Sequence, residues 1–481
     1  MTEPEAGSAR SISTSPGQLR EKWTTMPSLN PVILSLMLLA SIPHQIIPAS
    51  AKAKPAPHKQ AASPAEQAFD AGEYDQVIRL YQAARADGAQ TPSTELSRLA
   101  LRSYVRLGRP EDAWPLYQQL IPDGSPDDLP LLREIAWTTV TSRMRDPQEH
   151  IRLAAFAVVA ESRTQDIGPL LEDSLLDPSV VIRAKAAEAI GRAQLTSRVG
   201  ILIRALEDRA PSVRIAAMTS LGELSVVSVR ERLVEIARRE EGPESVFAAG
   251  ALIRLGREDM LADVLGAATY PDAEIRMAAL GVLGRLKRAA TLSVLTQAVY
   301  DPDASVRAFA AGALGEFGQK SGLSALTHAL ADEDPRVRAI AATSAGRLGG
   351  PHIRSLLQPL LRDADDFVRA SALEGLVRAR DQDVLLTAAH LAKHAAPQVR
   401  AAVAQSLAVN GYKQAIPLLE QLVRDPQPQP RLAAARALGH VGGPTAIPAL
   451  KKALQDSEPA VRITAGGGLL RVIDRGRPRT S

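Results

Sequence analysis

The hydrophobic pattern of this chain has two periods, one nested inside the other. Across residues 322–349, Leu323, Leu326 and Leu330 are spaced as one helix face, and Val337, Ala341, Ala342 and Ala345 as a second. Asp332, Glu333 and Asp334 form the polar turn between them, and Pro335 stands where a helix can begin. Gly349-Gly350 stops the second helix and lets the chain reverse. The longer period is 31 residues: Arg152, Arg183, Arg214, Arg276, Arg307, Arg338, Arg369, Arg400, Arg431 and Arg462 all fall on it. The eleventh tooth of this comb is Ser245, whose unit still keeps Ala248, Ala249, Leu252 and Gly256 in register. Such a repeat predicts an all-α solenoid of about eleven 31-residue helical hairpins over residues 130–475. No hairpin covers both of its own faces, so stacking must supply the core. Small residues (Ala310, Ala311, Gly315; Ala341, Ala342, Gly346) let neighbouring second helices come close.

Six residues before most of the arginines stands an acid: Asp146, Asp177, Asp208, Asp301, Asp332, Asp363, Asp425 and Asp456. Such an Asp accepts from free N–H groups at the start of the second helix. The Arg one repeat away reaches the neighbour's Asp with its planar fork. A ladder of alternating charge along the stack is the expected result, running through Asp177, Arg183, Asp208, Arg214, Asp301, Arg307, Asp332, Arg338, Asp363, Arg369, Asp425, Arg431, Asp456 and Arg462. The repeated D-P-x-x-x-V-R-x-x-A-A-x-A-L-G pattern resembles the HEAT repeat family, in its short phycobilin-lyase-like subtype. That resemblance implies a right-handed solenoid whose second helices line a concave groove. It does not imply lyase activity. The ladder is interrupted in the middle, where the acid position before Ser245 is Arg239 and the next is Tyr270. Either local compensation or a joint around 238–275 is expected there.

Ahead of the array, "GEYDQVIRLY" (72–81) and "GRPEDAWPLY" (108–117) share a layout in register 36 residues apart. Residues 64–124 thus resemble a tetratricopeptide-like helical cap, with Pro115 placed where a helix interior should be. Residues 1–53 read as a tail with a secretory signal. Arg20 and Lys22 precede an apolar run from Val32 to Ile42, and Ala49-Ser50-Ala51 offers a cleavage site. The alternative is a short membrane anchor over residues 32–47. A linker at 54–63 and a tail at 476–481 complete the division, and the expected location is periplasmic or secreted.

Composition narrows the chemistry. With no Cys among 481 residues there is no disulfide framework, thiol nucleophile or cysteine metal site. The net charge of +4 is mild for this length, and its Lys and Arg alternate with Asp and Glu. His390 and His394 lie four apart on one predicted helix, but without an intervening Glu, and His394 occupies a ladder acid position. Deoxyhypusine hydroxylase, a HEAT-type enzyme, binds iron through His-Glu dipeptides; no His here precedes a Glu. "GGGLL" (466–470) follows no strand and reads as a worn repeat helix. No catalytic residue, metal or cofactor is predicted. The position nine after each comb arginine carries mixed charge on the presumed concave face, with Arg285, Glu316, Arg347 and Arg378 as candidate partner contacts. At 3% aromatic residues, base-stacking platforms are scarce. The expectation is an open, rod-like scaffold that holds a protein or peptide in its groove. An accessory, chaperone-like subunit of an enzyme complex and a nucleic-acid-binding solenoid are the alternatives.

Overall fold

The computed structural model describes residues 62–475, apart from 87–91, 123, 163–166, 240–241, 382 and 409–411. The predicted signal or anchor, most of the linker and the C-terminal tail lie outside the described residues. Among the described residues no helix is long and apolar enough to cross a membrane.

Four helices come first: α1 (Pro64–Asp70), α2 (Tyr74–Ala86), α3 (Thr94–Arg106) and α4 (Pro110–Leu120). Ser63 caps α1 reciprocally, its hydroxyl accepting from the Glu66 N–H while its own N–H donates to the Glu66 carboxylate. Helix α4 runs straight through Pro115, giving up one backbone hydrogen bond. Its neighbours Trp114, Leu116 and Tyr117 are buried, and that packing outweighs the loss.

The array follows. Unit 1 consists of α5 (Leu129–Thr141) and α6 (Glu149–Glu161). The second, inner helices of units 2 to 11 are Val180–Arg192, Pro211–Glu223, Pro243–Arg254, Ala273–Leu286, Ala304–Phe317, Pro335–Leu348, Asp366–Arg378, Pro397–Leu407, Pro428–Val441 and Pro459–Arg475. Six of these ten begin at Pro, which has no N–H to leave unpaired. Asp272, Asp303 and Asp365 cap three others, and Asp334 the Pro-started helix of unit 7, by accepting from the first free N–H groups. Gly318, at φ 81°, closes unit 6 in the left-handed conformation that glycine adopts without strain.

Inner helices pack on one another from unit to unit, whereas the outer helices touch chiefly the inner ones, so the stack curves with the inner helices on the concave side. One packing rule recurs. The residue eight after the comb arginine is often Gly, and it faces the residue six after the arginine of the next unit. A Cβ at Gly191 would lie 2.7 Å from Ser220 Cβ, and one at Gly315 would lie 2.7 Å from Ser344 Cβ. Unit 4 has Ile253 at that position and uses Gly250 instead, where a Cβ would meet Val282 Cγ1 at 2.6 Å. Close approach of backbones is therefore built into the repeat.

The array is not an open rod. Its last inner helix packs on α5 and α6, closing the stack into a ring within the compact unit Ala62–Ser481. A Cβ at Gly467 would meet both Val158 Cγ atoms at 2.7 Å, the same register in which Gly250 of unit 4 faces Val282 of unit 5. The closing contact thus shares this one register with an ordinary repeat step, but the last inner helix leans on α5 as well as on α6. Gly466 adds a second close approach, where a Cβ would lie 3.0 Å from the Ala136 carbonyl oxygen. "GGGLL" lies, as read, within a repeat helix, the last inner one, and there it also makes the closing contact. The physical reason is exposure: Ile463, Leu469, Leu470, Val472 and Ile473 are all buried, and an open stack would leave this terminal unit without a polar cover.

Charged groups hold the seam. Arg133 Nε donates to Asp474 Oδ1 at 2.7 Å, and Arg471 donates to Glu161 at 2.6 Å. Arg436 also pairs with Glu161, and His440 Nε2 lies 3.8 Å from the same carboxylate. Burial alone would push the Glu161 carboxyl up, but His440, Arg436 and Arg471 together hold it below its ordinary value. The cap straddles the junction: Asp127 accepts from both Tyr117 Oη at 2.9 Å and Lys451 Nζ at 2.6 Å.

Candidate partner-binding surface on the inner wall

The ladder residues form the framework that positions the inner wall. Arg183 donates Nε–H and Nη2–H to Asp208 at 2.8 and 2.9 Å, and its Nη1 reaches the Asp177 carbonyl at 2.9 Å. The same fork joins Arg152 to Asp177, Arg276 to Asp301, Arg307 to Asp332, Arg338 to Asp363, Arg400 to Asp425 and Arg431 to Asp456. Each of these acids also accepts from a backbone N–H of its own turn, as Asp332 does from Asp334 at 2.9 Å. For Asp208 and Asp363 the guanidinium is the main cause of a lowered pKa; for Asp332, Asp425 and Asp456 burial pushes upward and is outweighed by the Arg and the backbone N–H.

Three rungs depart from the expected ladder. Arg214 turns to Glu244 at the start of the unit 4 inner helix, with Nε–Oε2 at 2.9 Å. This acid from another register replaces the missing one, so the break near Ser245 is compensated on its N-terminal side. Ser245 itself bonds only within its own turn, its hydroxyl donating to the Gly242 carbonyl at 2.8 Å among the described residues. Arg369 meets no acid in unit 9 because His394 stands there, and it pairs with Asp366 of its own helix. His394 keeps the capping half of the Asp role, Nδ1 accepting from the Ala396 N–H at 3.1 Å. Among the described residues Arg462 binds only the carbonyls of Asp456 and Ser457, at 2.7 and 3.1 Å, with the seam contacts taking over beyond it.

On the wall itself, positions two before and two, five and nine after the comb arginine face inward. Phe309, Ile340 and Phe367, on three consecutive inner helices, stay 41%, 39% and 60% exposed. The first two lean back over glycines of the preceding unit: a Cβ at Gly281 would lie 3.3 Å from the Phe309 ring, and one at Gly312 would lie 3.5 Å from Ile340. Glycine there keeps the shelf low enough for the larger side chain to lie on it. Beyond Phe367 an open recess of about 410 Å³ lies between the inner helices of units 8 to 10. Ser371, Glu374, Gln398, Gln405 and Gln429 give it a polar lining.

All four candidate contacts fall on this wall. Arg285 stacks its guanidinium 5.3 Å from the Phe247 ring centre. Its side chain is open to solvent but crowded by the curved wall. That loss of hydration lowers its pKa against the pull of Glu223, Glu316 and Glu188 from units 3, 6 and 2. Glu316 and Arg347 are exposed, and Arg347 has no ion-pair partner among the described residues. Arg378 is less available, since it donates to Glu374 at 2.8 Å. Sequence reasoning missed the exposed apolar group, whose signal was Phe309 and Ile340 two after the comb arginine, a register filled mostly by Ala, and Phe367 two before it.

His390 and His394 do not converge on a third ligand, and among the described residues no three His, Asp or Glu side chains are placed to hold a metal.

The family model for HEAT repeats matches residues 168–246, 292–377, 353–435 and 384–470, together more than half of the chain. The chain therefore belongs to the HEAT-repeat proteins, whose solenoid is that of a protein-interaction scaffold. No curated protein matches its sequence. Among solved structures it is similar to human deoxyhypusine hydroxylase in complex with glycerol, at 18% identity and a TM-score of 0.31, covering 52% of this chain and 98% of that one. An engineered protein matches at 18% identity and a TM-score of 0.29, over 63% of this chain and 98% of the other. Neither likeness carries an argument about activity.

Proposed function

We propose that this HEAT-repeat ring is a non-catalytic interaction scaffold, exported across a membrane, that holds a partner protein on its inner wall. The observation that carries the reading is the exposed row of Phe309, Ile340 and Phe367 on adjacent inner helices. Large apolar side chains gathered on a concave surface are a feature of binding sites rather than of solvent-facing walls. Arginines at the neighbouring register supply orientation and discrimination. Nucleic acid fits this wall less well, because Glu188, Glu223, Glu316 and Glu374 lie among the arginines and repel phosphate. Export rests on the order of charge, apolar run and small residues from Arg20 to Ala51.

The test is capture from envelope and soluble extracts with the full chain, compared with a Phe309→Ser/Ile340→Ser variant and an outer-surface variant, Leu386→Ser. The reading expects a partner retained by the outer variant and lost by the inner one. Equal capture by both would overturn it, and a chain that keeps residues 1–51 and stays in the cytoplasm would remove the export part.

A further inference from the structure

We infer, resting on the inner wall as the partner-binding surface, that units 4 to 8 bind an extended polypeptide segment of three-residue period that presents carboxylates to Arg254, Arg285 and Arg347, a neutral residue to Glu316, and apolar side chains between. Arg254, Arg285 and Arg347 stand at one repeat register on units 4, 5 and 7, with Glu316 the only acid between them in that row. Arg347 has no ion-pair partner among the described residues, and Arg285 meets its carboxylates at a distance rather than through hydrogen bonds. The row is thus a set of under-neutralised cations. Seven residues back along the helices runs the second row, in which Phe247, Phe309 and Ile340 share a register and Phe309 and Ile340 are exposed. Two helical turns, about 10 Å, separate the rows.

The spacing selects the conformation of the occupant. Neighbouring inner helices lie about 8–10 Å apart. A polyproline-II segment has three residues per turn and a rise near 3.1 Å, so every third side chain recurs on one side after about 9 Å. A segment lying across the helices between the two rows therefore aims residues i, i+3 and i+9 at Arg254, Arg285 and Arg347, with residue i+6 against Glu316. Residues i+7 and i+10 then face Phe309 and Ile340. Such a backbone has no internal hydrogen bonds. Where the chain of the partner runs on past unit 8 into the adjoining recess, the Gln398, Gln405 and Gln429 amides of units 9 and 10 each offer both donors and an acceptor to it.

Binding of a fluorescein-labelled 12-residue peptide of Glu-Leu-Pro triplets, with Gln in place of the third Glu, to the full chain, followed by anisotropy, tests this. The comparison probes are Lys-Leu-Pro and Glu-Ser-Pro peptides of equal length and a 12-nucleotide single-stranded DNA. Saturable, salt-weakened binding of Glu-Leu-Pro is expected. It should weaken about tenfold or more in Arg347→Glu, in Ile340→Ser and for Glu-Ser-Pro, each a change of roughly 1.4 kcal/mol. Both residues are exposed, so the variants should keep the wild-type circular dichroism and remain interpretable. Equal binding of Lys-Leu-Pro, preference for the oligonucleotide, or no peptide binding would each overturn the inference. If Phe309→Ser/Ile340→Ser loses captured partners while no acidic peptide binds, the scaffold reading stands and this inference alone fails.

Discussion

Replacing Arg307 by Ala removes one rung of the ladder while leaving its neighbours intact. The Arg307 and Asp332 side chains are only 12% and 6% exposed, and the fork between them is bidentate at 2.7 and 2.9 Å. Taking one partner from a buried ion pair costs on the order of 3–5 kcal/mol, most of it the penalty of the charge left behind. Asp332 retains the Asp334 N–H, and water can reach the turn, so the lower end, about 3 kcal/mol, is expected. Arg369 provides the control at the same repeat position. Its acid, Asp366, is 34% exposed and stays hydrated once the guanidinium is gone, so Arg369→Ala should cost about 1 kcal/mol. Urea unfolding of both variants gives the difference, and hydrogen exchange over units 6 and 7 shows whether the loss is local. Equal destabilisation by the two substitutions would refute the claim that the inter-unit pair, rather than the Arg itself, holds the turn.

Glu161→Gln removes the charge on which Arg436, Arg471 and His440 converge; with these groups partly exposed, a cost near 1 kcal/mol is expected, largest at low salt and fading above roughly 0.5 M. Gly467→Leu should open the seam outright by driving a side chain into Val158, whereas Gly200→Ala, with nothing within 4 Å of its Cβ, should leave the seam closed and the melting temperature unchanged or slightly raised. The ladder acids Asp208, Asp332, Asp363, Asp425 and Asp456 have pKa values below the ordinary 3.8 when folded. Their stabilisation is complete above that value and lost as pH falls through the lower folded-state values. Urea midpoints should therefore hold from pH 7 to about 5, then drop steeply below about 4, and less steeply in Arg307→Ala.

The unit, its two helices and most rungs were legible because each depends on residues fixed within one repeat. Arg at the comb and Asp six residues earlier are local signals, and stacking turns them into pairs 25 residues apart. What depended on the accumulated curvature was not legible. Gly467 and Val158 carry the same small-against-branched signature as Gly250 and Val282, yet 309 residues separate them and no local pattern says that the circuit closes. The apolar end of the last unit was the available clue, since a stack exposing Leu469, Leu470 and Ile473 needs a cover. Glu244 escaped notice for another reason: it reaches Arg214 from a different register, so a comb of fixed period passes over it.

Closure is tested most directly by a distance across the seam. The chain has no Cys, so spin labels on Leu129→Cys and Arg475→Cys report one pair without further substitution. Leu129 lies one turn from Arg133, and Arg475 adjoins its partner Asp474, so electron–electron resonance should give a single narrow distance of about 20 Å or less. Eleven units stacked without closing, at about 10 Å per step, would instead separate the labels by several tens of ångströms. A broad distribution centred out there would contradict the ring.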